Sequence, residues 1–199
     1  MSADTGAGAP ESRPHTGRRR NEAARQAILD AALRLAGAAG GEAVTIDAIA
    51  KAAGVGKQTV YRWWPSKGAV LLEALVDRAG QDVTVPEGGS LREELSSFIA
   101  TTFEAAQQEP AAGVLRTLLR ESGRDPHLAE LLRSYTATRR GVLRELLERG
   151  RERGELPAGV EPELMVDQIY GLFWYRFVLG HGPLDSGTAQ RLTDALLRG

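Results

Sequence analysis

The stretch TIDAIAKAAGVGKQTVYRWWPSK, from Thr45 to Lys67, decides the fold of this chain. Apolar residues recur at helical spacing in its first half, and the glycines Gly54 and Gly56 then interrupt the pattern. A second, short helical segment follows and stops at Pro65, whose ring cannot continue a helix. Two helices joined by a tight turn that contains glycine are typical of a helix-turn-helix unit.

The segment GVGKQT within this stretch also resembles a phosphate-binding loop, which combines glycines, a lysine and a hydroxyl. That loop requires glycine, four spacer residues, and then glycine, lysine and serine or threonine in direct succession. Here Lys51 stands in place of the first glycine, and Gln58 follows Lys57 where the hydroxyl is needed. The preceding segment TIDAIAKAA has helical spacing rather than the pattern of a buried strand. We therefore favour the helix-turn-helix.

The second helix carries polar side chains suited to DNA at its N-terminal end, which is the end that meets base edges. Lys57 can donate to guanine, Gln58 can pair with adenine, and Thr59 can offer a hydroxyl or a methyl group. Tyr61 and Lys67 can contact phosphates. This pattern predicts that the second helix is a recognition helix.

The pattern on both sides of this stretch is helical. A first helix is predicted from Asn21 to about residue 37, Thr45 caps the second, and the third runs over residues 57–64 with Trp64 facing inward. Ser66 caps a fourth helix. Further helices are predicted at residues 91–108, 111–123, 126–154, 162–179 and 187–198. The fold class is therefore all-α, with about nine helices.

Positive charge is concentrated in the N-terminal third of the chain. The whole chain has a net charge of −1. Residues 1–68 hold ten Lys/Arg against six Asp/Glu, a net charge of +4, whereas residues 69–199 hold fifteen against twenty, a net charge of −5. All three lysines of the chain lie between Lys51 and Lys67. A local excess of this kind is what phosphate binding requires.

The composition excludes several kinds of site. The chain has no cysteine, and its three histidines are scattered, so we expect no metal site and no cofactor. Residues 1–20 lack the apolar core of a signal peptide and are predicted to form a disordered basic arm. Residues 164–180 are the most apolar stretch, but they carry Asp167 and Arg176, which favours a buried helix over a membrane span. We expect a cytoplasmic protein without catalytic residues.

Residues 21–75 resemble the N-terminal domain of the tetracycline-repressor (TetR) family of bacterial regulators. The shared pattern comprises Thr45, Ile49-Ala50, Ala53-Gly54-Val55, Thr59, Tyr61, Trp64 and Ser66-Lys67. The resemblance implies that bases are read by Lys57, Gln58 and Thr59, and that phosphates are held by Thr45, Tyr61, Trp63 and Lys67. Two positions depart from the family pattern: Trp63 stands where histidine is common, and Gly56 stands where a capping Ser or Thr is common.

The same resemblance implies three regions: the arm at residues 1–20, the DNA-binding domain at 21–67, and a helical effector-binding and dimerisation domain at 68–199. The helix predicted at 162–179 is apolar on almost every side, so one side can face the core and another a second copy of the chain. A homodimer that pairs through its last two long helices would read a palindromic operator in double-stranded DNA.

Aromatic residues of the C-terminal region can line an apolar cavity for a small effector, with polar groups to orient it. The candidates are Phe98, Thr102, Phe103, Tyr135, Gln168, Tyr170 and Trp174, together with Tyr175. The alternative is that aromatic residues at helical spacing form an ordinary core.

Three functions are consistent with the sequence. The first is a dimeric repressor that a small apolar or amphipathic ligand releases from its operator. The second is a helical small-molecule-binding protein or enzyme with a vestigial DNA-binding domain, which would need catalytic groups that the sequence does not present. The third is an architectural DNA-binding protein without an effector. A sealed C-terminal core would favour the third, and an open cavity would favour the first.

Overall fold

A computed structural model describes residues 16–38, 44–82 and 88–198 of the chain. These residues form nine helices and no strand, which confirms the all-α prediction. The helices are α1 (Thr16–Ala38), α2 (Ile46–Ala52), α3 (Lys57–Tyr61), α4 (Lys67–Asp82), α5 (Leu91–Gln107), α6 (Ala111–Ser122), α7 (Pro126–Glu152), α8 (Pro162–Leu179) and α9 (Ser186–Leu196).

The first helix starts earlier than the sequence predicts. α1 begins at Thr16 rather than Asn21, so Arg18–Arg20 belong to a helix and not to a disordered arm. Arginine is a good helix former, and the last proline before this point is Pro14, so these residues extend the helix. The rest of the predicted arm, residues 1–15, lies outside the described residues.

The helix-turn-helix forms as its local sequence predicts. The Thr45 side chain accepts a hydrogen bond from the backbone N–H of Ala48 and caps α2. The turn passes through Gly54 at φ +68°, a conformation that glycine adopts without strain. α3 ends at Tyr61 rather than at residue 64. After it, the backbone N–H groups of Trp63 and Trp64 both donate to the carbonyl of Val60.

A small apolar core joins α1, α2, α3 and α4. Trp64 is 3% exposed and faces inward, as predicted. Its neighbours in this core include Ile28, Leu29, Ile49, Val60 and Leu71, all of them fully buried. The Glu73 carboxylate on α4 accepts hydrogen bonds from the Trp64 indole N–H (2.5 Å) and from the Arg25 guanidinium. The Glu73 side chain therefore links α4 both to α1 and to the segment that follows α3.

The remaining helices pack around a second part of the core. Ser90 and Glu93 form a reciprocal capping box that starts α5, and α5 then packs along α9. Glu94 is 2% exposed, and its carboxylate lies 3.5 Å from Arg149 on α7 and 3.3 Å from Arg153, the residue that follows α7. A buried carboxylate needs such partners, so this cluster fixes α5 against the C-terminal end of α7.

The two parts of the molecule meet where glycines let helices approach closely. A Cβ atom on Gly113 of α6 would lie 2.7 Å from the backbone oxygen of Ala36 on α1. A Cβ atom on Gly68 of α4 would lie 2.7 Å from a methyl group of Leu128 on α7. The flanking helices α1 and α4, which hold the helix-turn-helix, are thus packed directly onto α6 and α7. Within the described ranges, no helix has the length and apolar character needed to cross a bilayer.

Candidate nucleic-acid interface and ligand cavity

The N-terminal end of α3 presents the residues predicted to read bases. Lys57 and Gln58 are exposed, and Thr59 is partly buried. Tyr61, at the other end of α3, is 53% exposed although it is a large aromatic residue. A large exposed side chain beside exposed hydrogen-bonding groups is suited to contact with a polar, negatively charged surface.

Lys57 has a carboxylate partner within the helix-turn-helix. Its Nζ lies 2.7 Å from Oδ1 of Asp47 on α2, and this hydrogen bond raises the pKa of Lys57 above its usual value. The ammonium group is therefore fully charged at neutral pH. A base or phosphate would have to compete with Asp47 for it.

Thr45 and Lys67 are the first and last residues along the chain that are predicted to contact phosphates. Thr45 is exposed, and because its oxygen accepts from the N–H of Ala48, its hydroxyl proton remains available to a phosphate. Lys67 is more enclosed: its Nζ lies 2.5 Å from Oε1 of Glu121 at the end of α6. A phosphate contact by Lys67 would compete with this ion pair between the two parts of the molecule.

Trp63 packs against the protein. It is partly buried, and its ring meets that of Trp64 edge to face, with centroids 5.5 Å apart and planes at 89°. This contact supports a packing role for Trp63. The indole–phosphate contact that the family resemblance implies remains a prediction.

The C-terminal region contains a cavity of about 470 Å³. Four of the predicted effector residues line it, namely Thr102, Tyr135, Tyr170 and Trp174. The remaining apolar lining comes from Leu75, Ala105, Ala106, Ala111, Leu115, Gly171 and Phe173. The volume and the mainly apolar lining are typical of small-molecule sites, which span roughly 300–1,000 Å³.

The other predicted effector residues do not line this cavity. Phe98 and Phe103 are fully buried in the core, where Phe103 stacks on Phe173 with centroids 6.0 Å apart. Gln168 and Tyr175 are exposed on the outer face of α8. Gln168 precedes the lining residue Tyr170 by two positions, and in a helix with 3.6 residues per turn that spacing places their side chains on nearly opposite faces.

Both cavity tyrosines are neutral donors. Burial raises the pKa of Tyr135 and of Tyr170 above the usual value, so their hydroxyls stay protonated at neutral pH. The Tyr170 hydroxyl donates to the backbone carbonyl of Arg139 at 3.1 Å. Each ring therefore contributes an apolar face and an O–H group to the cavity region.

The sequence analysis missed three arginines at the cavity: Arg78 on α4, and Arg139 and Arg140 on α7. Arg140 is bound by Asp167 (2.6 Å) and Glu163 (3.1 Å) of α8. Arginine is usually found on solvated surfaces. No local signal could have placed these side chains at a cavity, because its walls come from five different helices. The part of the chain described here holds no group of three or more metal-ligating side chains.

This chain is similar to known proteins along most of its length. Residues 85–196 match the family model described as tetracyclin repressor-like, C-terminal domain, and residues 28–74 match that of bacterial regulatory proteins, tetR family. The HTH-type transcriptional regulator YdeS of Bacillus subtilis is 35% identical over 164 residues, which are 82% of this chain and 82% of YdeS.

Solved structures share the fold. The TetR family transcription regulator SCO0332 is 29% identical, with a TM-score of 0.75 over 88% of this chain and 97% of that one. The regulator FadR from Bacillus subtilis, solved in complex with stearoyl-CoA, has the same fold at 21% identity, with a TM-score of 0.70 over 87% of this chain and 98% of that one. The match of the C-terminal family model to more than half of the chain, together with the exposed recognition helix, shows that this chain belongs to the TetR family and is a DNA-binding transcriptional regulator.

Proposed function

We propose that this protein is a cytoplasmic, dimeric repressor that binds a palindromic operator and leaves it when a small amphipathic molecule enters the C-terminal cavity. The observation that carries this proposal is the position of α4. It begins three residues after Trp64, in the core of the DNA-binding unit, and its residue Leu75 lines the cavity. A ligand that contacts α4 in the cavity wall therefore contacts the same helix that packs against the DNA-binding unit.

The contacts at the start of α4 support a route for the signal. Lys67 is paired with Glu121 of α6, and Gly68 is packed under Leu128 of α7. Both α6 and α7 also line the cavity, through residues such as Leu115 and Tyr135. A ligand that separates these helices would tilt α4 and move the two recognition helices of a dimer out of register with successive major grooves.

The outer face of α8 supports dimerisation with a second copy. Leu164, Gln168, Gly171, Tyr175 and Val178 recur at intervals of four and three residues, which places them on one face of the helix. Leu164 is 55% exposed, Tyr175 59% and Val178 61%. An apolar stripe of this length on a helix surface is typical of a helix–helix interface. In the proposed dimer a second α8 covers it.

The open cavity favours ligand control over a constitutive architectural role, since a sealed core would have supported the latter. The fold shared with FadR, which was solved with stearoyl-CoA, supports the view that this architecture accommodates an amphipathic ligand. Among the residues that the structure describes, we identify no set of side chains arranged for catalysis.

The test is selection of bound duplexes from a random DNA pool with purified protein at moderate salt. The expected result is one enriched palindrome whose half-sites lie about one helical turn apart or a multiple of it. Binding to that duplex should weaken steeply as salt rises, because phosphate contacts release counterions. Folded protein that enriches no sequence would overturn the proposal.

A further inference from the structure

We propose that the ligand of the C-terminal cavity is an amphiphile with a single carboxylate, and that Arg139 is the residue that binds this carboxylate. This inference rests on the proposed function, because it assigns the chemical class of the molecule that the cavity accepts. Arg139 lies on α7, is partly buried, and lines the cavity.

Arg139 differs from the neighbouring arginine in its partners. Arg140 is bound by two carboxylates, Asp167 and Glu163. The guanidinium of Arg139 makes one long hydrogen bond, to the Thr102 hydroxyl at 3.4 Å, and lies over the ring of Phe98, 5.6 Å from its centroid. Among the residues that the structure describes, no carboxylate lies within ion-pair distance of Arg139.

The charge of the cavity wall favours an anion. Apart from Arg78, its charged lining consists of Arg139 and Arg140 against one acidic residue, Asp167, which is already bound to Arg140. A guanidinium at an apolar cavity without a carboxylate partner is costly, and an incoming carboxylate can pair with it through two parallel hydrogen bonds. The charge balance and the geometry of the guanidinium therefore both favour a carboxylate over a neutral or cationic group.

Groups beside Arg139 can complete a carboxylate site. The Thr102 hydroxyl already contacts Arg139, and Tyr135, one helical turn earlier on α7, lines the same cavity with a protonated hydroxyl. Both hydroxyls can donate to an anion. The apolar part of the ligand would then lie against Leu75, Leu115 and Trp174.

Arg139 also lies between two cavities. A second pocket, lined by Trp64, Glu73 and Leu131 among others, also has Tyr135 and Arg139 in its wall. These two side chains therefore separate the ligand cavity from the pocket beside the DNA-binding unit. A carboxylate that draws the Arg139 side chain into the ligand cavity would change this shared wall. The charge of the ligand would then alter the packing beside the DNA-binding unit.

The experiment uses full-length protein and ligands that share a ten-carbon chain: decanoate, decanol, decylamine and decanoyl-CoA, all below their micellar concentrations. Binding is measured by calorimetry and by the fluorescence of tryptophan, since Trp174 lines the cavity. We expect decanoate to bind roughly 10- to 100-fold more tightly than decanol, the range of a charge-assisted hydrogen-bonded pair, and decylamine to bind more weakly than either.

The variant Arg139→Met keeps an apolar stem and removes the charge. We expect it to abolish the preference for decanoate over decanol while binding decanol within about threefold of wild type, well inside the charge effect. The matched control is Arg133→Met on the same helix, because Arg133 is exposed and paired with Glu130 away from the cavity. Equal binding of decanoate and decanol to wild type, a comparison that needs no variant, would overturn the inference. Tighter binding of decanoyl-CoA than of decanoate would overturn the assignment of a single carboxylate and identify an acyl-CoA as the ligand class instead.

The two proposals fail in different ways. If decanoate binds through Arg139 but does not release the selected operator, the ligand class stands and its role as effector is wrong. If another class of molecule releases the operator and decanoate has no preference for Arg139, ligand-controlled repression stands and the carboxylate assignment is wrong.

Discussion

Both lysines predicted to meet DNA are held by carboxylates of their own chain. Lys57 pairs with Asp47 within the helix-turn-helix, and Lys67 pairs with Glu121 on α6. Surface ion pairs of this kind contribute only about 0–1 kcal/mol, so a phosphate can displace them. A phosphate must nevertheless displace Asp47 or Glu121 before it can bind the lysine. Glu121 lies on α6, which lines the ligand cavity, so the Lys67 pair connects this competition to the cavity.

The Glu121→Gln variant tests this competition. If Lys67 contacts a phosphate, removing its carboxylate partner should tighten operator binding up to about fivefold, in line with the modest energy of a partly exposed ion pair. Lys67→Ala should weaken binding and reduce the slope of log affinity against log salt by about one. Fluorescence anisotropy over a range of salt concentrations measures both. Unchanged affinity and slope in Lys67→Ala would show that Lys67 does not touch the operator.

The contacts of Glu155 predict how the free energy of unfolding depends on pH. The backbone N–H of Leu91 donates to its carboxylate, and Arg153 pairs with it at 2.6 Å, so its pKa lies below the usual value. In the unfolded chain the pKa of glutamate is about 4.3. The native state thus favours the charged form, and this contribution to stability is present above the unfolded pKa and is lost as the pH falls through the lower folded value.

Glu155→Gln should therefore lower the melting temperature at pH 7, and the difference from wild type should shrink as the pH falls toward 3. Thermal denaturation followed by circular dichroism at several pH values measures this difference. A melting-temperature difference that is constant across the range would contradict the assignment of the lowered pKa to the native contacts of Glu155.

At the scale of helices, close approach at glycine decides how the DNA-binding unit is attached. Gly113 allows α6 to touch the backbone of α1, and Gly68 allows α4 to touch Leu128 of α7. A backbone neighbour cannot move aside as the end of a flexible side chain can. The α1–α6 contact is therefore the more rigid of the two.

Gly113→Ala should lower the free energy of unfolding by roughly 1–3 kcal/mol, because its methyl group would meet the oxygen of Ala36 and force the two helices apart. The matched control is Gly141→Ala in α7, where an added Cβ meets nothing within 4 Å and better helix propensity should stabilise by roughly 0.5–1 kcal/mol. Urea denaturation measures both variants. Equal stability of the two would show that the α1–α6 contact is looser than described.

At the scale of the whole molecule, the proposal uses two surfaces of the described residues: the exposed end of α3 and the exposed face of α8. They belong to opposite ends of the chain. A dimer through α8 would bring two copies of α3 to one DNA duplex, with a separation set by every helix between them. In the proposed mechanism, the ligand cavity, the dimer interface and the operator-binding helix are connected through the same packed helices.

Val178→Glu should convert the dimer to a monomer at micromolar concentration, because burying an unpaired carboxylate costs several kcal/mol. Sedimentation velocity measures the change, and operator affinity should fall with it. Ala137→Glu, an equal charge on the exposed side of α7, should leave the dimer intact. A Val178→Glu protein that remains dimeric would show that the subunits pair through another surface.

The sequence by itself determined the helices and the helix-turn-helix. Their signals are local: the cap at Thr45, the glycine at Gly54, the proline at Pro65 that separates α3 from α4, and periodic apolar residues. Each signal acts within one or two turns of chain, so the predicted bounds of α5 to α9 differ from the observed ones by at most two residues. The inward orientation of Trp64 followed from the same periodicity.

Only the tertiary structure decided which side chains meet across helices. Glu121 and Lys67 pair although they lie 54 positions apart, and Arg139 lies at an apolar cavity whose walls come from five different helices. The same packing placed Phe98 and Phe103 in the core and Gln168 on the outer face of α8, against the predicted ligand set. Periodicity indicates that a residue faces inward or outward, but the packing of whole helices decides whether an inward face meets another side chain or an open space.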